Sequence, residues 1–180
     1  MIYHANNMEL GPIQTEDVLL LQAVIRMTCP KQLVELGYLN GYSTRKLLEA
    51  MTEDARLTSY DNTVSSSDIT DPRFTFKNKS QTECDEKGIE FIFFDASHDL
   101  EINKQTFENL DLAEHCIIAV HDTGLWNRMV MNTGGYWIGD GYAHRPGEIA
   151  FVQWLKEKGY NAINFHTLRE TRHGMTLLQK

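Results

Sequence analysis

The segment at residues 33–44, LVELGYLNGYST, constrains the fold of this chain more than any other part of the sequence. It begins as a short apolar run, passes through a turn with two glycines, and continues into residues that favour a helix. A strand, glycine turn and helix in this order are typical of α/β proteins with a parallel sheet, in which ligands bind beyond the carboxyl ends of the strands. The segment therefore predicts a ligand site at the turn between Gly37 and Gly41.

The spacing of the two glycines indicates which kind of ligand the turn can take. Dinucleotide-binding turns carry G-x-G-x-x-G, because a pyrophosphate needs close glycine backbone and a helix N-terminus. Here the spacing is G-x-x-x-G, and Glu35 stands two residues before the first glycine. A carboxylate at that place repels a pyrophosphate but suits a ligand with an ammonium group. S-adenosylmethionine, which has an ammonium, a sulfonium and no phosphate, fits this turn, although G-x-x-x-G also occurs in ordinary strand–helix turns.

Length and composition are those of one domain with a full core, spanning residues 1–180. The chain has 180 residues, of which 42% are hydrophobic. The net charge of −8, without a cluster of Lys or Arg, disfavours a nucleic-acid partner. No segment has the pattern of a secretion signal or of a membrane span. The three cysteines, Cys29, Cys84 and Cys116, form no zinc or disulfide pattern, which favours a reducing cytoplasm.

Alternating strands and helices predict a three-layer, Rossmann-like α/β sandwich, with a mainly parallel seven-stranded sheet and an antiparallel final strand. We expect strands at residues 32–36, 56–60, 74–77, 91–94, 116–120, 162–168 and 175–179. We expect helices at residues 15–27 with Thr15 as the cap, 43–51, near 107–112, and 148–158. Residues 124–146 are rich in glycine and aromatic side chains and are expected to form a long loop.

Four predicted strands end on an acid or on a turn that carries one: Glu35, Asp61, Asp95 and Asp122. Carboxyl ends of parallel strands share one edge of a sheet, where ligands bind. A purely structural sheet has no reason to place acids repeatedly at that edge, so the pattern favours a site. Asp61 is expected to accept the ribose hydroxyls of an adenosine ligand, or else to be a turn aspartate beside Asn62.

The segments around these acids resemble a known family. LVELGYLNGYS is similar to the first motif of class I S-adenosylmethionine-dependent methyltransferases, above all the cation-dependent O-methyltransferases of the catechol and caffeoyl-CoA type. In the same order, KSQ at 79–81 resembles A-S-Q, DASHD at 95–99 resembles D-A-D-K-D, and HDTGLWN at 121–127 resembles Y-D-N-T-L-W-N. The similarity covers about residues 8–127. Small bacterial and phage methyltransferases with D-x-x-H and H-D-T signatures are similar as well.

This resemblance implies a binding site for S-adenosylmethionine. The family's positions for the methionine portion, the ribose and the adenine fall on the glycine turn, on the end of the second strand and on the KSQ segment respectively. Met8 would lie near the cofactor as well. The implied cofactor-binding residues are Glu35, Gly37, Tyr38, Gly41, Ser43, Asp61, Asn62, Ser80, Gln81, Asp95 and Ala96.

The resemblance also implies a divalent cation, usually magnesium, held by Asp95 and Asp122. Thr123 stands where the family has an asparagine ligand, and a hydroxyl binds magnesium more weakly than an amide oxygen. His121 offers a nitrogen that suits zinc, iron, nickel or manganese better, so the metal stays open. His98 stands where the family has its lysine base. With an ordinary pKa of about 6.5, it can act as a base at neutral pH beside Asp95, or else be an exposed histidine near a helix cap.

The expected function is methyl transfer from S-adenosylmethionine to a hydroxyl of a small molecule, with residues 124–146 as a substrate lid. The aromatic side chains of that segment would face the acceptor, or else pack onto the domain or across a homodimer. One alternative is an NAD(P)-dependent oxidoreductase, which the missing G-x-G-x-x-G and Tyr-x-x-x-Lys disfavour. Another is a metal-independent or non-catalytic S-adenosylmethionine-binding protein, which Thr123 keeps open. The sequence does not specify the acceptor.

Overall fold

The computed structural model describes residues 13–123, 135–138, 141–144, 147–165 and 174–180, with side chains given outside residues 124–146. Strands and helices alternate along most of this chain. The helices are α1 (Thr15–Thr28), α2 (Tyr42–Ala50), α3 (Leu100–Asn109) and α4 (Gly147–Glu157), with a short 3₁₀ helix at Gln81–Glu83. The strands are β1 (Gln32–Leu36), β2 (Arg56–Tyr60), β3 (Phe74–Lys77), β4 (Ile89–Phe94), β5 (Leu112–Val120), β6 (Gly135–Ile138), β7 (Gly141–His144), β8 (Asn161–Phe165) and β9 (Met175–Gln179).

In the described part of the chain, seven strands form one sheet in the order β3-β2-β1-β4-β5-β9-β8. The pairs from β3 to β5 are parallel, and β9 is antiparallel to both β5 and β8. The predicted fold class is confirmed. Because β1 pairs with β2 on one side and β4 on the other, the strand order reverses at β1, and ligands bind outside the carboxyl ends of the strands at such a point.

The sheet separates two hydrophobic clusters. Phe91 and Phe93 of β4 pack on the side of α1 and α2, whereas Ile92 and Phe94 pack on the side of α3 and α4. All four are at most 3% exposed, as a central parallel strand covered on both faces requires. Burial of each of these side chains contributes roughly 1.5–3 kcal/mol to folding.

The predicted bounds of β1, β2, β3 and β9 match the structure. The prediction that Leu110 and Leu112 lie in a helix is wrong, because α3 ends at Asn109 and β5 begins at Leu112. Leu110 has extended backbone geometry and its N–H closes the last turn onto Phe107. Both leucines still pack against the core, so their hydrophobicity alone did not reveal the change of backbone.

Two further predictions need correction. Thr15 lies inside α1 and Gln14 is the N-cap, without a side-chain cap bond. The stretch predicted as a long loop contains the antiparallel pair β6 and β7. The side chains of residues 124–146, and with them the predicted aromatic wall, lie outside the described residues, as does Met8. No helix within the described ranges is both long and apolar enough to cross a membrane.

Candidate active site

A cavity of about 380 Å³ lies beyond the carboxyl ends of β1, β2 and β4. It brings together side chains from the glycine turn, from the end of β2, from the 3₁₀ helix and from the loop after β4. Four of the predicted site residues, Glu35, Gly41, Asp122 and Thr123, are not part of its lining. The predicted residues that do line it are Gly37, Tyr38, Ser43, Asp61, Asn62, Ser80, Gln81, Asp95, Ala96, His98 and His121.

The turn after β1 approaches the end of β4 so closely that it requires glycine. Gly37 has φ +104°, and a Cβ there would lie 2.4 Å from the carbonyl oxygen of Asp95. Its N–H donates to Tyr60 O at 2.9 Å, and Asp95 N–H donates to Leu36 O at 2.9 Å. Gly37 therefore brings the turn and Asp95 to the same wall of the cavity.

Glu35 is fully buried behind this wall. Its carboxylate accepts hydrogen bonds from the hydroxyls of Ser43 and Thr44, each at 2.5 Å, and from the hydroxyl of Ser59. Burial raises the pKa of Glu35 to about 7, although the three hydroxyls oppose the shift. In the structure, Glu35 thus joins β1, β2 and α2, and its contact with a methionine portion remains a prediction.

Asp61 organises the glycine turn. Its Oδ2 accepts from the backbone N–H groups of Tyr38 at 3.0 Å and Leu39 at 2.8 Å. Its Oδ1 accepts from the N–H and the hydroxyl of Thr63 at 2.7 and 2.6 Å. Burial raises the pKa of Asp61, but these hydrogen bonds outweigh it and the net pKa is lowered. Four accepted bonds fill the capacity of a carboxylate, so a ribose hydroxyl would have to displace one, and the Thr63 hydroxyl is the most easily rotated.

Gln81 lines the cavity, and its amide is buried against side chains of α3. Its Nε2 donates to Asn103 Oδ1 and to Thr106 Oγ1, both at 2.9 Å. Its Oε1 is buried and has no hydrogen-bond partner within the described residues. A buried carbonyl without a partner costs roughly 1–3 kcal/mol, so a ligand that donates a hydrogen bond here recovers that energy. Ser80, just before it, caps the 3₁₀ helix in a capping box with Glu83.

His121 is surrounded by carboxylates. Its Nδ1 lies 2.9 Å from Asp95 Oδ1 and 3.5 Å from Asp122 Oδ1, and its Nε2 lies 3.2 Å from Asp17 Oδ2. Burial lowers the pKa of His121, but the carboxylates outweigh burial and hold the pKa well above its ordinary value. Asp17 lies in the first turn of α1, where an acid is common, so no local pattern indicates that it belongs to this site. Its 104-residue separation from His121 left no local signal.

The residues present fit a divalent cation, and the ligand atoms that lie together come from Asp95, Asp122 and His121, all of them candidates that the sequence offered. Ligand atoms of Asp95, His121 and Asp122 all lie within 4.8 Å of one another, and this mixture of nitrogen and oxygen suits zinc, manganese or iron. Thr123 is 1% exposed, and its hydroxyl accepts a hydrogen bond from Thr176 at 2.8 Å. A role for Thr123 as a ligand therefore remains only a prediction.

His98 lies in the loop after β4, and its Nδ1 is in direct contact with Glu148 Oε1 on α4. The neighbouring carboxylate of Asp99 has a different partner. In the structure Asp99 caps α3, accepting from the N–H groups of Glu101 at 2.8 Å and Ile102 at 3.0 Å. Glu148 was missed, because it is 50 residues away from His98 and looks like an ordinary acid in the first turn of a helix.

Comparison with known proteins places this fold. No protein-family model matches the chain, and no curated protein matches it. Among solved structures, an O-methyltransferase from Bacillus cereus in complex with SAH is 17% identical, with a TM-score of 0.73 over 98% of this chain and 86% of that one. TomG, an O-methyltransferase from Streptomyces achromogenes involved in tomaymycin synthesis and solved with SAM, is 16% identical, with a TM-score of 0.69 over 93% of this chain and 81% of that one.

A third similar structure is the SAH-bound methyltransferase PaMTH1 from Podospora anserina. It is 16% identical, with a TM-score of 0.63 over 93% of this chain and 79% of that one. The chain therefore has the fold of the class I S-adenosylmethionine-dependent methyltransferases, as its motifs predicted. The solved chains with this fold that are named above are O-methyltransferases or, for the Podospora protein, a methyltransferase.

Proposed function

We propose that this protein is an S-adenosylmethionine-dependent methyltransferase that methylates a hydroxyl group of a small molecule. The observation that carries the proposal is the cavity that joins the Gly37 turn, Asp61 and Gln81, whose buried Oε1 has no hydrogen-bond partner among the described residues. Each of these meets a different part of the cofactor. The turn offers backbone to the methionine portion, Asp61 accepts ribose hydroxyls, and Gln81 Oε1 accepts from the amino group of adenine.

The charge of the cavity favours this cofactor over NAD(P). No Lys or Arg lines the cavity in the part of the chain that the structure describes, whereas Asp61 and Asp95 do. A pyrophosphate placed against these carboxylates would lack a compensating cation. A cofactor with a sulfonium and an ammonium, by contrast, is attracted by both carboxylates. The same argument supports an uncharged or weakly acidic acceptor.

The proposed mechanism assigns each step to a side chain. S-adenosylmethionine, when bound, supplies a methyl group on a sulfonium that is already reactive, so the protein has to align the acceptor and exclude water. His98 lines the cavity and would take the proton of the acceptor hydroxyl while its oxygen receives the methyl group, with S-adenosylhomocysteine as the leaving group. A divalent cation on Asp95, His121 and Asp122 would act as a Lewis acid that stabilises the acceptor oxyanion. Residues 124–146 would close over the acceptor within a single domain of residues 1–180.

Calorimetric titration of the full chain with S-adenosylhomocysteine, with NADH as the control ligand, tests the cofactor class. We expect micromolar binding of S-adenosylhomocysteine and no binding of NADH. Absence of S-adenosylhomocysteine binding, with or without Mg²⁺ or Mn²⁺, would refute the proposal. His98→Ala then tests the base: binding should remain while kcat at neutral pH falls. An unchanged kcat would remove His98 from the mechanism.

A second candidate is a methyltransferase, or a binding protein, that works without a metal. The observation that favours it is the imidazole of His121, whose Nδ1 lies 2.9 Å from Asp95 Oδ1 and 3.5 Å from Asp122 Oδ1, so that the ring itself can compensate the two carboxylates. Turnover that persists after dialysis against a chelator would support this candidate. Loss of turnover, restored by Mn²⁺, Zn²⁺ or Mg²⁺, would support the metal-assisted enzyme. Binding without turnover on any hydroxylated acceptor would leave a binding protein.

The partners and the compartment follow as proposals. The free thiols of Cys84 and Cys116 are buried, which fits a reducing cytoplasm. Ile163 and Phe165 on the outer strand β8 are 62% and 41% exposed, which supports a homodimer in solution. Analytical ultracentrifugation measures the oligomeric state, and a monomer at micromolar concentration would contradict the dimer.

A further inference from the structure

We propose that Glu148 is the positioning residue of His98, and that it holds the imidazole in the tautomer with its proton on Nδ1. The ring nitrogen without a proton is then Nε2, and this is the nitrogen that takes the proton of the acceptor. The catalytic part of the inference rests on the proposed function. The tautomer itself does not, because it is a property of the protein without any ligand.

The first observation is the direct contact between His98 Nδ1 and Glu148 Oε1. The His98 side chain is 45% exposed and lines the cavity, whereas the Glu148 side chain is 6% exposed. The carboxylate is thus a fixed, buried group behind a ring that faces the substrate space. An ionised carboxylate only accepts hydrogen bonds, so the nitrogen it contacts has to carry the proton. The same arrangement fixes the tautomer of the histidine in a Ser-His-Asp triad.

The backbone makes a second contact between the same two segments. The N–H of Gly147 donates to the carbonyl oxygen of His98 at 3.1 Å. A Cβ on Gly147 would lie 2.1 Å from that oxygen and 2.9 Å from the nitrogen of Leu100, so only glycine permits this approach. The first turn of α4 therefore holds both the main chain and the ring of His98. Two attachment points fix the direction of the ring, which one hydrogen bond alone would leave free to swing.

The surroundings of Glu148 act on its ionisation in both directions. Burial is the largest effect and raises the pKa of Glu148 above its ordinary value, although His98 and the backbone oppose the shift. Its place in the first turn of α4 also favours a negative charge, because the N-terminal N–H groups of a helix carry partial positive charge. Asp122 is the other acid facing this pair, and its charge opposes ionisation of Glu148.

A cation on His98, Asp122 and Glu148 is the competing explanation, since ligand atoms of these three residues lie within 4.8 Å of one another. Direct contact between His98 Nδ1 and Glu148 Oε1 is what a hydrogen bond between the two side chains produces, and titration with Zn²⁺ distinguishes the two explanations.

Nitrogen-15 NMR of the histidine side chains in the full chain tests the tautomer. The His98 signals are those lost in His98→Gln, and the spectra are taken at a pH where the ring is neutral. We expect a proton on Nδ1 in the wild type and a shift toward the Nε2–H form in Glu148→Gln. Glu157→Gln, on the exposed end of the same helix, is the matched control and should leave the His98 signals unchanged.

A wild-type ring with its proton on Nε2, or a Glu148→Gln ring with an unaltered tautomer, would overturn the proposal. Stoichiometric binding of Zn²⁺ that shifts both nitrogens of His98 would replace it with the metal site. None of these readings needs a cofactor or an acceptor. A failed proposed function would appear separately, as absent S-adenosylhomocysteine binding.

Kinetics with a turned-over acceptor test the catalytic part. Glu148→Gln should lower kcat roughly 10–100-fold, as is typical when the group that orients a functional histidine is lost. The KM for S-adenosylmethionine should stay unchanged. In a His98→Ala background, Glu148→Gln should not lower kcat further, because Glu148 acts through His98. A full, additive loss in the double variant would mean that Glu148 acts by another route, and would contradict the proposal.

Discussion

The imidazole of His121, just after β5, and the carboxylate of Asp17 on α1 form a buried pair, with Nε2 and Oδ2 3.2 Å apart. His121 is 3% exposed and Asp17 is 5% exposed. Asp95 and Asp122 lie near Nδ1, on the other side of the same ring, so one imidazole is in contact with three carboxylates. A neighbouring cation stabilises buried carboxylates, and these carboxylates hold the pKa of His121 well above its ordinary value, which favours the cationic form of the ring. The pair therefore ties the first helix to the carboxyl edge of the sheet.

His121→Gln should destabilise the protein by roughly 3–5 kcal/mol at pH 6, because it leaves buried carboxylates without their cation. The folded-state pKa of His121 is raised, so its contribution is fully present below about pH 6.5 and is lost as the pH rises through the folded pKa. The difference between wild type and variant should thus shrink from pH 6 toward pH 10. Urea unfolding in the presence of a chelator measures it.

The exposed neighbour His115 supplies the control, and His115→Gln should change the free energy of unfolding by less than about 0.5 kcal/mol at every pH. A difference for His121→Gln that stays constant or grows between pH 6 and pH 10 would mean that the ring is neutral in the folded protein.

The local pattern of residues was enough to predict the bounds of several strands of the sheet. Apolar runs bounded by turn residues specify β1, β2 and β3 to the residue, because each is short and ends at a glycine, an acid or an asparagine. The stretch around Leu110 could not be assigned in this way. There the same apolar residues serve the end of α3 and the start of β5, and only tertiary packing decides between the two backbones.

The residues of the site likewise include some that local sequence predicts and others that depend on the whole fold. Acids at strand ends were readable, since parallel strands share an edge, and Asp61 and Asp95 do line one cavity. Asp17 and Glu148 were not readable, because each reaches the site from a helix whose docking depends on the whole fold. Glu35 has a structural role that its motif did not indicate. The hydroxyls of Ser43, Thr44 and Ser59 donate to its carboxylate, and its contact with a ligand stays a prediction.

Gln81→Leu should weaken S-adenosylhomocysteine binding about tenfold, the equivalent of one hydrogen bond of about 1.4 kcal/mol. The reason is that its buried Oε1 is the acceptor proposed for the adenine amino group. S-inosylhomocysteine, which has a carbonyl in place of that amino group, should bind both proteins equally weakly. Isothermal titration calorimetry of the two ligands measures the coupling. Thr106→Val, which removes a partner of Nε2 but leaves Oε1, should keep the wild-type preference.

Equal losses of both ligands in Gln81→Leu would assign Gln81 a packing role and move the adenine elsewhere in the cavity. The comparison is internal to each protein, so a general loss of stability in the variant does not imitate the expected result.

Glu35→Gln should gain stability relative to wild type as the pH rises from 5 to 8. Burial raises the folded-state pKa of Glu35 to about 7 from 4.5, so the folded protein binds a proton that the unfolded chain releases. By linkage, the stability that Glu35 contributes is full below about pH 4.5 and falls as the pH rises to about 7. The free energy of unfolding of wild type relative to Glu35→Gln should therefore decrease between pH 5 and pH 8, as chemical denaturation can measure.

Glu53→Gln, at an exposed position, should show no such dependence. If the wild type gains stability over Glu35→Gln as the pH rises, then the three hydroxyls stabilise the carboxylate more than burial destabilises it, and Glu35 is ionised throughout.

Gly37→Ala should abolish S-adenosylhomocysteine binding and destabilise the fold, while Gly159→Ala should do neither to a comparable degree. Both glycines have positive φ, +104° and +93°, so both substitutions carry the backbone strain of about 1–2 kcal/mol that an alanine meets in that region. Only at Gly37 would the new Cβ also meet Asp95 O at 2.4 Å, whereas nothing lies within 4 Å at Gly159. Calorimetric binding and thermal unfolding of the two variants separate strain from close approach. Equal effects in both would mean that the turn and the end of β4 can move apart without loss of the site.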